Sequence, residues 1–168
     1  MIFTVTSDGR FEMGGQTVSC ALGRSGVIVA ADKREGDGAT PLGVWPIRWL
    51  YYREDKGAEA ETALPSSPIG KDDGWCDAPA DDAYNRPVNL PYPASAERMW
   101  RDDDLYDRVI VLGHNDDPVV EGLGSAIFLH IARDGYAPTE GCVALSAADM
   151  DRFLEFVGPG DELEIKLA

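Results

Sequence analysis

Two side chains in the last third of the chain have the chemistry of a nucleophile and its base. His130 lies in an apolar run, residues 126–131, and Cys142 follows a loop of turn-forming residues and precedes a second apolar run, Val143 to Leu145. Two short strands joined in this way would hold both groups on a sheet rather than on a flexible loop. A cysteine beside a histidine becomes a thiolate near neutral pH and is then a strong nucleophile. The pattern predicts a cysteine–histidine site for acyl transfer.

A glycine, Gly141, directly precedes the predicted nucleophile. Glycine adopts backbone angles that other residues avoid and allows the backbone to approach a ligand closely. We therefore expect the backbone N–H groups of Gly141 and Cys142 to be free to bind an oxyanion. A histidine at the end of an apolar strand is also often a structural residue, so from the residues alone a catalytic and a structural role of His130 both stay open.

The same stretch holds residue types that ligate zinc or iron. Their spacing matches no familiar metal motif, and acidic residues are abundant throughout the chain, 30 in all. We therefore expect neither a metal nor another cofactor, and a metal-dependent hydrolase stays a minor alternative. The possible ligands are His114, Asp116, Asp117, His130, Glu140 and Cys142.

The three cysteines differ in their surroundings. Cys20 lies among apolar residues of a predicted strand and is expected to be buried. Cys76 has acidic neighbours, which raise the pKa of a thiol, so Cys142 is the predicted nucleophile. An odd number of cysteines without CxxC spacing predicts no disulfide framework and favours a reducing compartment.

Periodicity predicts one mostly β domain over residues 1–168, with one clear helix. Ser146 is the predicted N-cap of that helix, with Asp149 as its capping partner. The apolar face of the helix consists of Met150, Phe153, Leu154 and Val157. Residues 95–100 predict one further helical turn. Strands are expected at residues 2–6, 11–13, 16–22, 44–53, 86–90, 107–113, 126–131 and 161–167.

A charged, glycine-rich segment, residues 32–46, is predicted to be an ordered loop leading into the strand at 44–53. It is either a plain hairpin connection or a wall that presents Lys33 or Arg34 to a carboxylated substrate. Composition alone favours the plain connection.

A polar segment, residues 72–85, contains two aromatic side chains, Trp75 and Tyr84. Aromatic residues in loops often line a ligand cleft, but they also pin long loops to a core, and both interpretations stay open. Residues 56–68 are weakly patterned and are predicted to be a mobile excursion.

Charge and hydropathy exclude several classes of protein. The formal net charge of −15 argues against binding to nucleic acid or to anionic membrane surfaces, which attract basic proteins. No apolar run approaches the roughly 20 residues needed to cross a bilayer. The first residues contain neither a basic segment nor a long apolar one, so no secretory signal is predicted and we expect a cytoplasmic protein.

Three motifs together resemble the L,D-transpeptidase catalytic domain family. They are Thr40-Pro41-Leu42-Gly43, the strand-borne His130, and Thr139-Glu140-Gly141-Cys142-Val143 ahead of a helix. The resemblance covers roughly residues 1–167 and is strongest from Val109 to Leu145. The sequence departs from the family pattern in three ways. Glu140 replaces the histidine of the family's Ser/Thr-His-Gly-Cys motif, Ala144 stands where many members carry arginine or asparagine, and the spacing from His130 to Cys142 is short.

The resemblance implies a β-sandwich-like fold in which a cysteine takes an acyl group from a peptidoglycan stem peptide. Cys142 matches the nucleophile, His130 the base, and the backbone of Gly141 and Cys142 the oxyanion hole. The backbone carbonyl of Ile131, just after the histidine, matches the third catalytic element. The remaining candidates are substrate contacts: His114, Asn115, Thr139, Glu140, Arg133, Lys33, Arg34, Trp75, Tyr84 and Arg86.

Together with the lack of a visible signal peptide, the resemblance predicts an L,D-carboxypeptidase. It would remove terminal D-alanine from tetrapeptide muropeptides during cell-wall recycling. The alternative is an L,D-transpeptidase that crosslinks peptidoglycan, because the two activities share their first half-reaction. That enzyme would be periplasmic and would have to be exported by a route that the sequence does not show. A non-catalytic module that binds a peptide in the same cleft is an alternative of another class.

Overall fold

The computed structural model describes residues 1–57 and 60–168, in which the chain forms thirteen β-strands and one α-helix. This confirms the predicted mostly β fold with one helix. The helix is α1 (Ala147–Leu154). The strands are β1 (Ile2–Thr6), β2 (Arg10–Met13), β3 (Gln16–Ala21), β4 (Val27–Val29), β5 (Thr40–Tyr52), β6 (Ser66–Pro68), β7 (Asp73–Cys76), β8 (Pro87–Asn89), β9 (Ala96–Arg98), β10 (Arg108–Leu112), β11 (Phe128–Ile131), β12 (Val143–Leu145) and β13 (Glu162–Lys166).

The large sheet closes on itself through its longest strand. Its order is β10–β11–β12–β3–β2–β1–β13–β5–β4, and β5 also pairs with β6 and with β10. Residues 43–46 of β5 pair with β13, and residues 47–52 pair with β10. On the other side, β3 pairs with β2 and, at Cys20 and Ala21, with β12. Because β3 and β5 each join two groups of strands, the sheet folds into two layers around one core.

Helix α1 packs its apolar face into that core. Its N-terminus is capped by Ser146: the Asp149 N–H donates to Ser146 Oγ at 3.1 Å, and Ser146 Oγ donates to the Asp149 carboxylate at 2.7 Å. Phe153 is fully buried and meets the rings of Phe3 and Phe11 edge to face, with centroids 4.7 and 5.2 Å apart. The predicted helix, its cap and its buried face are confirmed.

A small three-stranded sheet, in the order β8–β7–β9, accompanies the large one. Gly74 to Cys76 of β7 pair with Ala96 to Arg98 of β9 in antiparallel register. The helical turn predicted at residues 95–100 is therefore wrong, because the backbone there forms ladder hydrogen bonds with β7. Trp75 and Met99 anchor the small sheet in a second apolar cluster.

Strand β5 begins earlier than the sequence predicts. Thr40 to Leu42 pair in parallel with Val27 to Val29, so the motif Thr40 to Gly43 belongs to a strand rather than to the loop predicted over residues 32–46. Strand β5 continues through Gly43, which has a φ of +146°. Glycine is needed at this position because a side chain would meet the Trp45 ring.

Part of the predicted excursion over residues 56–68, residues 58 and 59, lies outside the described residues. Its last three residues form β6, which pairs with Leu50 to Tyr52 of β5. No helix in the described part of the chain has the length and apolar character needed to cross a membrane.

Phe153→Ala is expected to lower the free energy of unfolding by about 3–5 kcal/mol, because it leaves a cavity beside two aromatic rings. Urea unfolding followed by fluorescence measures this change. Phe156→Ala is the matched control: the Phe156 side chain is 45% exposed, so we expect a loss below about 1 kcal/mol. Equal losses from the two substitutions would contradict the packing described for α1.

Candidate active site

The pairing of β11 with β12 places the predicted nucleophile and base on one side of the sheet. Leu129 lies opposite Val143, and His130 opposite Ala144, in parallel register. Alternate residues of a strand face opposite sides, so Leu129 enters the main core while Phe128 and His130 face away from it. Cys142 lies just before β12 and packs in the same small cluster as Phe128. His130 and Cys142 both line a cleft of about 430 Å³.

The imidazole of His130 is 5% exposed, and its Nδ1 lies 2.8 Å from the backbone oxygen of Ile131. A carbonyl oxygen only accepts hydrogen bonds, so this contact keeps the proton on Nδ1 and leaves the lone pair on Nε2. Burial lowers the pKa of His130 to about 4. At neutral pH the ring is therefore uncharged and has a free basic nitrogen.

The thiol of Cys142 is buried and protonated. Sγ donates to the backbone oxygen of Ala126 at 3.2 Å and accepts from the Phe128 N–H at 3.4 Å. The residue is 9% exposed, and burial, with a smaller effect from the Glu97 carboxylate, raises the pKa of its thiol to about 12. The expectation of a thiolate near neutral pH is wrong for this resting structure, because the thiol hydrogen bond goes to a backbone carbonyl in an apolar environment.

The turn before Cys142 depends on Gly141 and Thr139. Gly141 has a φ of +134°, and a Cβ there would lie 2.9 Å from the Ala39 oxygen. Thr139 Oγ1 donates to the Cys142 oxygen at 2.6 Å and accepts from the Gly141 N–H at 3.1 Å. Of the two predicted oxyanion donors, the Gly141 N–H is thus engaged. The Cys142 N–H has no hydrogen bond to any other described residue.

A buried asparagine that the sequence analysis missed, Asn85, organises the backbone around the thiol. Its Oδ1 accepts from Trp75 Nε1 and from the Ala126 N–H, each at 3.0 Å. Its Nδ2 donates to the backbone oxygens of His114 at 3.1 Å and Asn115 at 2.8 Å. Ala126 has a φ of +52°, and its oxygen receives the thiol proton, so Asn85 holds the acceptor of that bond in place. A single asparagine between Tyr84 and Arg86 gives only a turn signal.

Four of the predicted substrate contacts line the cleft with the thiol: Lys33, Arg133, Thr139 and Glu140. The buried Lys33 donates to the Asp37 carboxylate at 2.5 Å and to the Arg34 oxygen at 2.9 Å. Glu140 forms an ion pair with Arg24 at 2.9 Å in which both side chains are exposed, so the pair adds little stability.

The other six predicted contacts have side chains engaged elsewhere and are not among the residues that line this cleft. His114 is buried, with Nε2 2.9 Å from the Leu123 oxygen, and burial lowers its pKa. Asn115 donates to the Val120 and Gly124 oxygens, each at 2.9 Å. The side chains of Trp75 and Tyr84 donate to those of Asn85 and Glu35, respectively. Arg34 donates to the backbone oxygens of residues 31 and 33, and Arg86 donates to the backbone oxygen of Asp116.

Six further residues of the cleft wall have polar side chains that the sequence analysis did not single out. Tyr106 packs its ring against His130, with centroids 5.5 Å apart, and its hydroxyl donates to Glu97. Burial and the neighbouring carboxylate hold the pKa of Tyr106 well above its usual value. The six residues are Glu35, Asp77, Glu97, Arg101, Tyr106 and Ser125. Three of them follow or belong to β7 and β9 of the small sheet, which the sequence analysis did not predict as strands.

Within residues 1–57 and 60–168, no three His, Cys, Asp or Glu side chains are arranged so that they could hold a metal ion. The cleft contains a buried thiol and a neutral imidazole, which is the composition of a cysteine-nucleophile enzyme site.

A protein-family model described as the YkuD L,D-transpeptidase catalytic domain matches residues 2–165. The chain belongs to this family, as the sequence motifs predicted. Members of the family are cysteine-nucleophile enzymes that act on peptidoglycan peptides. No curated protein and no solved structure matches the chain.

The protonation of Cys142 predicts a distinctive alkylation profile. With a thiol pKa of about 12, the thiolate fraction at pH 7 is roughly 10⁻⁵, so the rate of iodoacetamide labelling is expected to rise steadily from pH 6 to pH 9. Peptide mass spectrometry of the native protein measures the rate at Cys142, and Cys142→Ala reports the background from the other two cysteines. A rate that reaches a plateau below pH 8 would instead show a preformed thiolate–imidazolium pair.

Proposed function

We propose that the protein is a cysteine L,D-carboxypeptidase that removes terminal D-alanine from tetrapeptide muropeptides. The observation that carries this proposal is that Cys142 and His130 line one cleft, in which the Ile131 oxygen leaves His130 Nε2 as the free base. The family acts on peptidoglycan peptides by acyl transfer of the L,D-transpeptidase type, which supplies the substrate class.

In the first half-reaction, the thiol turns from Ala126 toward the substrate and transfers its proton to His130 Nε2. Sγ attacks the carbonyl carbon at the L-centre of diaminopimelate, and the Cys142 N–H donates to the oxyanion that forms. The tetrahedral intermediate then collapses: the carbon–nitrogen bond to D-alanine breaks, and the leaving amine takes the proton from His130. The product is a thioester on Cys142 and free D-alanine.

In the second half-reaction, water attacks the thioester carbonyl while His130 Nε2 accepts a proton from it. The carbon–sulfur bond breaks, the sulfur regains a proton from His130, and a tripeptide carboxylate leaves. Because the resting pair is neutral, His130 acts as a general base in both half-reactions rather than as the partner of a permanent ion pair.

Access to the sulfur favours water as the acceptor. Cys142 is 9% exposed in a cleft whose volume, about 430 Å³, suits one drug-sized ligand. Transpeptidation requires a second stem peptide to reach the same carbonyl, which needs more room.

The terminal carboxylate of the substrate needs a cation, and the cleft offers one that is uncommitted. Arg133 is exposed at the cleft and is paired with no carboxylate of the described chain, whereas Lys33 is held by Asp37 and Arg101 by Asp103. We place the activity in the cytoplasm, on recycled muropeptides, because the cysteine content favours a reducing compartment.

Incubation with a diaminopimelate tetrapeptide muropeptide, followed by mass spectrometry of the products, tests the proposal. We expect tripeptide and free D-alanine in equal amounts from the wild type, and a fall of at least 10³-fold in Cys142→Ala. Cys20→Ala is the matched control, because burial also raises the pKa of that thiol to about 12 but Cys20 is not among the residues that line the cleft. A crosslinked dimer would establish transpeptidation instead, and the absence of both products would refute acyl transfer from this substrate.

A further inference from the structure

The small sheet carries two carboxylates into the cleft on the same face. Trp75 of β7 lies directly opposite Glu97 of β9, and the Asp77 N–H extends the pairing by donating to the Ser95 oxygen at 3.2 Å. Residues two apart on a strand share a face, so Asp77 and Glu97 are diagonal neighbours across the two strands. Both line the cleft that contains Cys142.

Neither carboxylate forms an ion pair with a cation of the described chain. Asp77 Oδ1 is buried and has no hydrogen-bond partner in the described part of the chain. Glu97 accepts from the Tyr106 hydroxyl, yet burial raises its pKa, and the nearby Asp77 and Glu35 charges add to the rise. Arg101, the cation near Glu97, already forms two hydrogen bonds to Asp103, each of 2.7 Å.

The same cleft offers a third oxygen acceptor, the uncharged hydroxyl of Ser125. Ser125 is 8% exposed and lines the cleft, and its Oγ forms no hydrogen bond with any described residue. Ser125 lies beside the Tyr84 hydroxyl, and their contact is not a hydrogen bond of good geometry. The Tyr84 hydroxyl itself donates to Glu35 and accepts from the Gly124 N–H. Buried hydroxyls usually have a hydrogen-bond partner, so the Ser125 Oγ is available to accept a hydrogen bond from a ligand in the cleft.

We propose that Asp77, Glu97 and Ser125 form a subsite for the primary ammonium group of an amino acid. An ammonium group has three N–H donors and no acceptor, which matches three oxygen acceptors, two of them on carboxylates. Arg133 lines the same cleft and carries the opposite charge, so the cleft suits a ligand that bears an ammonium and a carboxylate close together.

The subsite rests on the proposed function only for the identity of its ligand. In a peptidoglycan stem, such an ammonium belongs either to the side chain of the acyl donor or to an amine that accepts the acyl group. The chemistry of recognition is the same in both cases, and the two sources differ in the half-reaction that they affect.

The direct test is calorimetric binding to the Cys142→Ala protein, which requires no turnover. The two probes are a diaminopimelate tetrapeptide muropeptide and the same compound acetylated on its side-chain amine. We expect acetylation to weaken binding by at least tenfold, because it removes the charge and two of the three donors. Asp77→Asn or Glu97→Gln in the same background should reduce this preference to threefold or less, and Ser125→Ala should reduce it by a smaller factor.

The matched control is Asp82→Asn, which removes an exposed carboxylate on the same segment that is not part of the cleft wall. It should leave the tenfold preference unchanged. Unaltered thermal unfolding temperatures of the variants would show that they fold normally.

The amine acceptor is tested separately, by adding free glycine to the wild-type protein and its Glu97→Gln variant and measuring how the thioester divides between hydrolysis and aminolysis. Suppose that Glu97→Gln loses aminolysis while the free and the acetylated muropeptide bind equally well. This result would assign the subsite to the amine that accepts the acyl group. The subsite would be overturned if Cys142→Ala bound the free and the acetylated muropeptide equally well and Glu97→Gln also left aminolysis unchanged. A tenfold preference in binding without any acylation of Cys142 would keep the subsite and refute the proposed function.

Discussion

The parallel pairing of β11 with β12 is the constraint on which the rest of the site depends. With Leu129 opposite Val143, one face of this pair completes the main core and the other face presents the catalytic candidates. A shift of one residue would exchange the two faces, burying His130 in the core and exposing Leu129. Packing of the core therefore fixes the register, and the register places the imidazole and the thiol on the same cleft.

Burial on this face explains the electrostatics of the site. The same apolar cluster that holds Cys142 keeps its thiol protonated and keeps the His130 imidazole neutral, since a low-dielectric environment disfavours both charged forms. The site thus stores no ion pair before substrate arrives. Two backbone oxygens orient the reacting groups. The Ile131 oxygen selects the tautomer of His130, and the Ala126 oxygen, which Asn85 positions, accepts the hydrogen bond from the Cys142 thiol.

Sequence reasoning was most reliable where one local pattern determines the outcome. The capped helix after Ser146 and the apolar strand that carries His130 follow from periodicity and short motifs, and the family follows from the Thr139 to Val143 motif. The protonation of Cys142 was predicted wrongly because it depends on tertiary burial. Two strands of the small sheet, β7 and β9, were missed because they are only four and three residues long, and with them the placement of Asp77 and Glu97.

The central claim is that the Cys142 thiol receives the acyl group of a peptidoglycan stem peptide. Intact-mass spectrometry of the protein, quenched in acid within seconds of mixing with tetrapeptide muropeptide, tests this claim most directly. We predict an adduct whose mass equals that of the substrate less one D-alanine, located on the peptide that contains Cys142. An unmodified protein at every time of quenching, or an adduct on another residue, would contradict the assignment.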